Sequence, residues 1–146
     1  MGTMTEVYDQ DFYAWALKNA ELIRQGRWSE VDTEHVAEEI ESMGRSIKRA
    51  LEQRLTVLFA HLLKWEYQPA FRSRSWRYTI IEQRDAISDL LEENPSLRAG
   101  LPTILAKVYK RAVRNAADET ELKSTVFPAN CPWPLEQTLD EQFWPE

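Results

Sequence analysis

The chain has 146 residues, a formal net charge of −6, and hydrophobic and charged shares of 43% and 29%. These values exclude a disordered or membrane-embedded class, and they predict a single soluble domain over residues 1–146 with one sizeable core. No run approaches ~18 consecutive apolar residues and the start lacks a signal region, so we expect a cytoplasmic protein without a membrane segment. The one cysteine, Cys131, excludes an intrachain disulfide and a multi-cysteine zinc site.

The first two predicted helices follow from apolar residues that recur every three or four positions. One helix is expected from about Tyr8 to Gln25, capped by Asp9 and ended by Gly26. The second is long, and its apolar stripe keeps its phase across Gly44, where glycine favours a kink. One bent helix is therefore favoured over a hairpin. The stripe consists of Val36, Ile40, Met43, Ile47, Leu51, Leu55, Leu58, Leu62 and Trp65.

Two further helices are predicted in the second half of the chain. Ser75 is expected to cap a third helix over Trp76–Glu93, and Pro102 to lie in the first turn of a fourth helix that ends near Ala117. No segment shows the alternation of a strand. The fold class is therefore all-α, a four-helix bundle-like domain.

The chain from Glu119 onward is predicted to be an irregular tail. It holds four of the seven prolines and several aromatic residues. One helical turn is expected after Pro134, and the aromatic side chains of the tail are expected to pack against the bundle.

Charge is distributed unevenly along the chain. Residues 1–44 carry 3 basic and 10 acidic side chains, residues 45–78 carry 8 basic and 2 acidic, and residues 79–146 carry 7 basic and 12 acidic. The basic stretch 45–78 either contacts a polyanion or pairs with the acidic first 44 residues, and the acidic whole molecule favours pairing. The candidates for polyanion contact are Arg72, Arg74, Trp76 and Arg77.

Polar side chains also occur on helix faces that should be buried. By helical phase, Arg54 and Arg84 project inward, and His61 lies at the edge of the apolar stripe. A buried guanidinium needs a partner, and the nearest carboxylates to the stripe are Glu39 and Glu41. These five residues predict a polar cluster inside the bundle, serving either as a structural network or as a pocket with a titratable histidine.

Sequence motifs for catalysis or metal binding are absent. The pair His35 and Glu38 has metal-ligand spacing, but no second such motif exists, so we predict no metal and no cofactor. The chain contains no nucleophile elbow, phosphate loop or dinucleotide-binding turn.

Several motifs resemble those of a bacterial family known only as domain of unknown function twenty-nine. They are YDQDFYAW at 8–15, EEIESMGRS at 38–46, HLLKWEYQP at 61–69, RSRSWRYTI at 72–80, ENPSL at 93–97, ET at 119–120 and FPANCPWP at 127–134. The resemblance implies a small helical protein and no known activity, so no catalytic residue is carried over.

Three functions are compatible with these observations. The first is a non-enzymatic helical module that binds another protein, a second copy of the chain or a small ligand. The second is an acid–base or metal-assisted hydrolase, nuclease-like, that uses Glu38, Glu39 and Glu41 with His61. The third is nucleic-acid binding by residues 45–78, which the net charge of −6 disfavours.

Overall fold

A computed structural model describes residues 3–146, which form six α-helices and no strand. The helices are α1 (Met4–Gln10), α2 (Phe12–Arg24), α3 (Thr33–Tyr67), α4 (Arg74–Glu93), α5 (Leu101–Thr120) and α6 (Leu135–Leu139). The predicted all-α class is confirmed. The chain divides into two compact units, an N-terminal unit that ends at Ser46 and a C-terminal unit over Ile47–Glu146. The single domain expected from the length stays a prediction.

The N-terminal unit begins with two short helices where the sequence predicted one. Thr3 and Glu6 form a capping box, in which each side chain accepts a hydrogen bond from the other's backbone N–H. Asp11 then ends α1 and caps α2, because its Oδ1 accepts from the Ala14 N–H at 3.1 Å. The predicted cap at Asp9 was therefore wrong. The expected end at Gly26 is confirmed, where φ is +70°.

Helix α3 runs without a break through Gly44, as its apolar periodicity predicted. Leu51, Leu55, Leu58 and Leu62 are fully buried. Further toward the N-terminus the predicted stripe was wrong, because Ile40 and Met43 are 59% and 61% exposed. Periodicity shows which residues share a face, and it does not show whether another element covers that face.

The core of the C-terminal unit is built by the second half of α3 with α4 and α5. Helix α4 begins at Arg74 and not at the predicted Trp76, because Ser73 caps it in place of Ser75. The Ser73 hydroxyl accepts from the Trp76 N–H at 3.1 Å. Pro102 lies in the first turn of α5, as expected. The apolar core combines side chains of all three helices: Leu51, Leu55, Leu58, Leu62, Ile80, Ile87, Leu91, Ile104, Val108, Ala112 and Ala116.

The tail after α5 packs on this core, as the sequence predicted. Phe127 is buried, and Trp133 and Trp144 are partly buried against the core. The Tyr109 hydroxyl donates to the Pro128 carbonyl at 2.7 Å, and α6 forms the helical turn expected after Pro134. Within residues 3–146, none of the helices combines the length and apolar content that a membrane crossing requires.

Candidate functional site

A hydrogen-bonded network joins α2 to the start of α3 in the N-terminal unit. The Asp32 carboxylate accepts from Trp15 Nε1 at 2.9 Å and lies 2.8 Å from His35 Nδ1. The Asp32 N–H donates to Asn19 Oδ1 at 2.8 Å, and Asn19 donates in turn to the Trp15 carbonyl. Trp15 and Asn19 are both buried. Asp32 therefore fixes the angle at which α3 leaves the preceding turn.

The hydrogen bond between His35 and Asp32 shifts the pKa values of both side chains. The hydrogen bond to Asp32 raises the pKa of His35, because the carboxylate favours the protonated ring. Burial opposes the charged form of Asp32, but the hydrogen bonds from Trp15 and His35 outweigh it and hold its pKa below the usual value. The two side chains form an ion pair when His35 is protonated.

Tyr8 extends the network from α1. Its ring stacks on the His35 ring, with centroids 4.0 Å apart, and its hydroxyl donates to Glu39 Oε1. That hydrogen bond raises the pKa of Tyr8 to about 12, since the neighbouring carboxylate disfavours the phenolate. Sequence analysis missed this network, because its members lie on three separate helices and only the His35–Glu38 spacing drew attention to it.

The N-terminal unit exposes more large apolar side chains than it buries. Its buried apolar residues are Trp15 and Leu22. Its exposed large apolar side chains are between 49% and 75% accessible: Phe12, Tyr13, Leu17, Trp28, Ile40 and Met43. Helix α2 carries Phe12, Tyr13 and Leu17, and α3 carries Ile40 and Met43, so both helices contribute to this exposure.

The two predicted carboxylates of the polar cluster have partners of their own within the N-terminal unit. Glu39 accepts from Tyr8, and Glu41 lies 3.6 Å from Arg45 in an exposed pair one helical turn away. Glu38 is exposed on α3. The carboxylates predicted for a hydrolase therefore lie in the N-terminal unit, whereas His61 lies in the C-terminal unit.

Arg84 is buried, as its helical phase predicted, but its partners differ from those expected. The side chain is 2% exposed; Nε donates to the Thr138 carbonyl at 2.8 Å and Nη2 to the Phe143 carbonyl at 2.7 Å. Nη1 is buried and has no partner among the described residues. Main-chain oxygens of the tail thus take the place of the expected carboxylate, which sequence reasoning missed because they lie 54 and 59 positions away in the chain.

The other two candidates of the C-terminal unit, Arg54 and His61, also have uncharged partners. Arg54 is half-buried, and its Nη1 donates to Gln83 Oε1 at 3.3 Å. His61 Nδ1 lies 2.9 Å from the Val57 carbonyl one turn earlier on α3. Burial lowers the pKa of His61 and thus favours the neutral ring. Arg54, His61 and Arg84 therefore have different hydrogen-bond partners within the C-terminal unit.

Three of the four predicted polyanion contacts have partners within the protein, although Arg72 and Arg77 are also exposed. Arg72 donates to the Trp65 carbonyl at 2.7 Å and to the Pro145 carbonyl at 3.3 Å. The Arg77 guanidinium lies 5.2 Å from the centre of the Trp144 ring. The Trp76 ring faces the buried ammonium group of Lys64 at 4.9 Å. Arg74 is exposed at the start of α4, and a polyanion contact there stays a prediction.

Two guanidinium groups and a second aromatic ring lie close to the Trp144 ring. Its ring lies 4.8 Å from that of Trp65, and the guanidinium groups of Arg77 and Arg84 lie 5.2 and 5.3 Å from its centre. The basic residues of α4 and the preceding loop thus hold the tail against the C-terminal unit.

The acidic residues and histidines do not gather into a metal site in the described part of the chain. Among residues 3–146, no group of three or more histidine, cysteine, aspartate or glutamate side chains has the arrangement needed to hold a metal ion.

A protein-family model matches nearly the whole chain. The model of a family described as "Domain of unknown function DUF29" matches residues 7–144. No curated protein and no solved structure matches the chain.

Proposed function

The chain belongs to the DUF29 family, whose description assigns no activity, and we propose that it is a non-enzymatic helical module that binds a protein partner. The proposal is carried by one observation: among the residues described from Thr3 onward, the N-terminal unit buries two large apolar side chains and leaves six between 49% and 75% exposed. Exposed apolar side chains concentrated in one region are typical of interaction sites, because leaving them in water costs free energy that a partner recovers.

Charge indicates the chemistry of that partner. Residues 1–44 carry 10 acidic and 3 basic side chains, so the exposed apolar residues lie in a strongly acidic setting. Electrostatic complementarity speeds association and excludes partners of like charge. We therefore infer a protein segment that presents basic and apolar side chains together, such as a cationic amphipathic helix.

Ile40 and Met43 are suitable positions for the test. They are adjacent on one face of α3, beside the contact between Tyr8 and Glu39, and neither side chain contributes to a buried core. Replacing both with serine removes apolar surface without changing charge. The helix should persist, because both positions are exposed.

The experiment measures binding of a synthetic helical peptide with lysines along one face and leucines along the other. We expect fluorescence anisotropy to show saturable binding to the wild-type chain and at least tenfold weaker binding to Ile40→Ser/Met43→Ser, a change of about 1.4 kcal/mol. Ile81→Ser removes a comparably exposed side chain from the C-terminal unit and should leave the affinity unchanged.

Three results would reject the proposal. The first is absence of peptide binding, and the second is equal loss of affinity in the Ile81→Ser control. The third is equal binding of a scrambled peptide of the same composition, which would indicate attraction by charge alone. A molar mass from light scattering that falls in the double variant would identify a second copy of the chain as the occupant instead.

A further inference from the structure

A polar cleft lies between α3 and α5 in the C-terminal unit, apart from the residues considered above. Its volume is about 520 Å³. Three cationic side chains line it: Arg49 from α3, and Lys107 and Arg111 from α5. The remaining lining residues are mostly polar: Glu52, Gln53, Thr56, Val57 and Asn115.

The cleft carries excess positive charge in an acidic protein. Glu52 is its only carboxylate, so the lining has two more positive than negative charges, whereas the whole chain has a net charge of −6. Two more basic residues of α5, Lys110 and Arg114, fall with Lys107 and Arg111 within about 100° of the helix circumference. Like charges that crowd one helix side repel one another, and an anion would relieve that repulsion.

The single carboxylate leaves most of the donor groups free. Glu52 is 8% exposed, and its Oε2 lies 3.5 Å from Lys107 Nζ and 3.9 Å from Arg111 Nη1. Both distances exceed those of strong charge-assisted hydrogen bonds. The Lys107 and Arg111 side chains are 52% and 42% exposed, whereas that of Glu52 is 11% exposed. An incoming anion therefore meets the cations before it meets the carboxylate.

We propose that this cleft binds a small anion that carries at least two phosphate groups. Guanidinium groups bind phosphate oxygens through paired N–H donors, and an ammonium group adds a compact charge. The amides of Gln53 and Asn115 supply further donors at the same cleft. The volume suits a diphosphate or a nucleotide-sized molecule, and the acidic remainder of the protein disfavours a long nucleic acid.

Pyrophosphate is the probe, and isothermal titration calorimetry on the full chain is the measurement. We expect saturable binding that weakens as salt concentration rises. Arg49→Gln should weaken binding at least tenfold, and Lys107→Gln/Arg111→Gln should reduce it further. Arg49→Gln is decisive because it leaves both cationic neighbours of Glu52 in place, so a loss of binding does not follow from exposing an unpaired buried carboxylate. Arg98→Gln, which changes an exposed arginine in the turn before α5 and outside the cleft, should change the affinity less than twofold.

Each alternative outcome overturns the inference. No binding up to about 10 mM pyrophosphate, a concentration that corresponds to negligible affinity, would show that the cleft is not an anion site. Equal affinity for citrate would show attraction by charge without phosphate recognition. Equal loss of affinity in Arg98→Gln would place the anion elsewhere. A single-stranded oligonucleotide that binds and is not displaced by pyrophosphate would identify a polymer surface in place of a small-molecule site.

Discussion

The charged side chain of Arg84 is buried, since the residue is only 2% exposed. Removing a guanidinium from water is costly, and the two hydrogen bonds to the Thr138 and Phe143 carbonyls offset only part of that cost, because Nη1 has no partner within residues 3–146. Burial accordingly lowers the pKa of Arg84, although the neighbouring Asp140 and Glu141 act in the opposite direction. The side chain fastens the tail at two points, the Thr138 and Phe143 carbonyls.

Replacing Arg84 with methionine should therefore loosen the tail. The change removes both donors while filling a similar volume, and we expect the free energy of unfolding to fall by about 2 kcal/mol in urea denaturation. Arg77→Met is the matched control: it also lies over Trp144 but is exposed, and its loss should cost about 0.5 kcal/mol or less. Unchanged or increased stability in Arg84→Met would show that the arginine does not fasten the tail.

The two histidines should titrate on opposite sides of the ordinary pKa of about 6.5. The hydrogen bond to Asp32 raises the pKa of His35, with smaller contributions from Glu38 and Glu34, whereas burial lowers that of His61. A pH titration of the imidazole C–H resonances by nuclear magnetic resonance measures both values. The higher one should disappear in His35→Gln. Coincident titration curves would contradict the ion pair at Asp32.

The raised pKa of His35 also fixes the sign of its contribution to stability. A group that binds its proton more tightly when folded stabilises the protein below its unfolded pKa, and that contribution is lost as pH rises through the folded pKa. Asp32 has the opposite dependence, because its pKa is lowered and its contribution is lost as pH falls. The stability difference between wild type and His35→Gln should therefore narrow as pH rises above neutrality.

At the scale of single elements, α3 shows why a glycine signal is ambiguous in sequence. Gly44 lies in an unbroken helix of 35 residues, and a side chain added there would meet no atom within 4 Å. Gly26 also has open space around it, but its φ of +70° is in the left-handed region. The sequence correctly predicts Gly26 as a helix end, but it overstates the tendency of Gly44 to kink the helix.

Alanine substitutions at these two glycines should therefore have opposite effects. Gly44→Ala should raise the free energy of unfolding by about 0.5–1 kcal/mol, since alanine favours the helix and restricts the unfolded chain. Gly26→Ala should lower it by about 1 kcal/mol, because an L-residue is strained at positive φ. Thermal unfolding followed by circular dichroism measures both. Destabilisation by Gly44→Ala would indicate that the helix needs a break at this position.

Helix starts were the least predictable feature of the elements. Asp11 and Ser73 cap α2 and α4, whereas Asp9 and Ser75 were expected to cap the corresponding helices. Each pair offers two suitable side chains two positions apart, and periodicity changes little over that distance. The capping residue is the one whose own backbone leaves the helical region, with φ −146° and ψ 78° at Asp11 and φ −133° and ψ 166° at Ser73. The apolar periodicity does not show at which of the two positions that change occurs.

At the scale of the whole molecule, the class of fold followed from periodicity, but the partners of polar residues did not. The burial of Arg84 was predictable because helical phase is a local property. Its carbonyl partners were not predictable, since they depend on where a tail more than 50 residues later crosses α4. The same limit applies to Arg49, whose neighbours across the cleft, Lys107 and Arg111, lie on α5.

The positions of the helices also show how the arginines of the basic stretch 45–78 are used. The basic stretch 45–78 was expected either to contact a polyanion or to pair with the acidic first 44 residues. In the structure, Arg72 and Arg77 contact the tail, and Arg49 faces basic residues of α5. Net charge over a segment thus conceals two different uses of arginine: fastening the chain to itself, and leaving donors free at a cleft.

The reactivity of Cys131 offers a direct measurement of how the tail packs. It is the only thiol in the sequence, it is half-buried in the tail, and its Sγ donates to the Trp133 carbonyl at 3.3 Å. Burial raises its pKa, so the reactive thiolate is scarce while the tail is in place. A maleimide reagent alkylates Cys131, and the rate of that reaction in the wild-type chain therefore reports how often the tail detaches from the core. The measurement needs no engineered label.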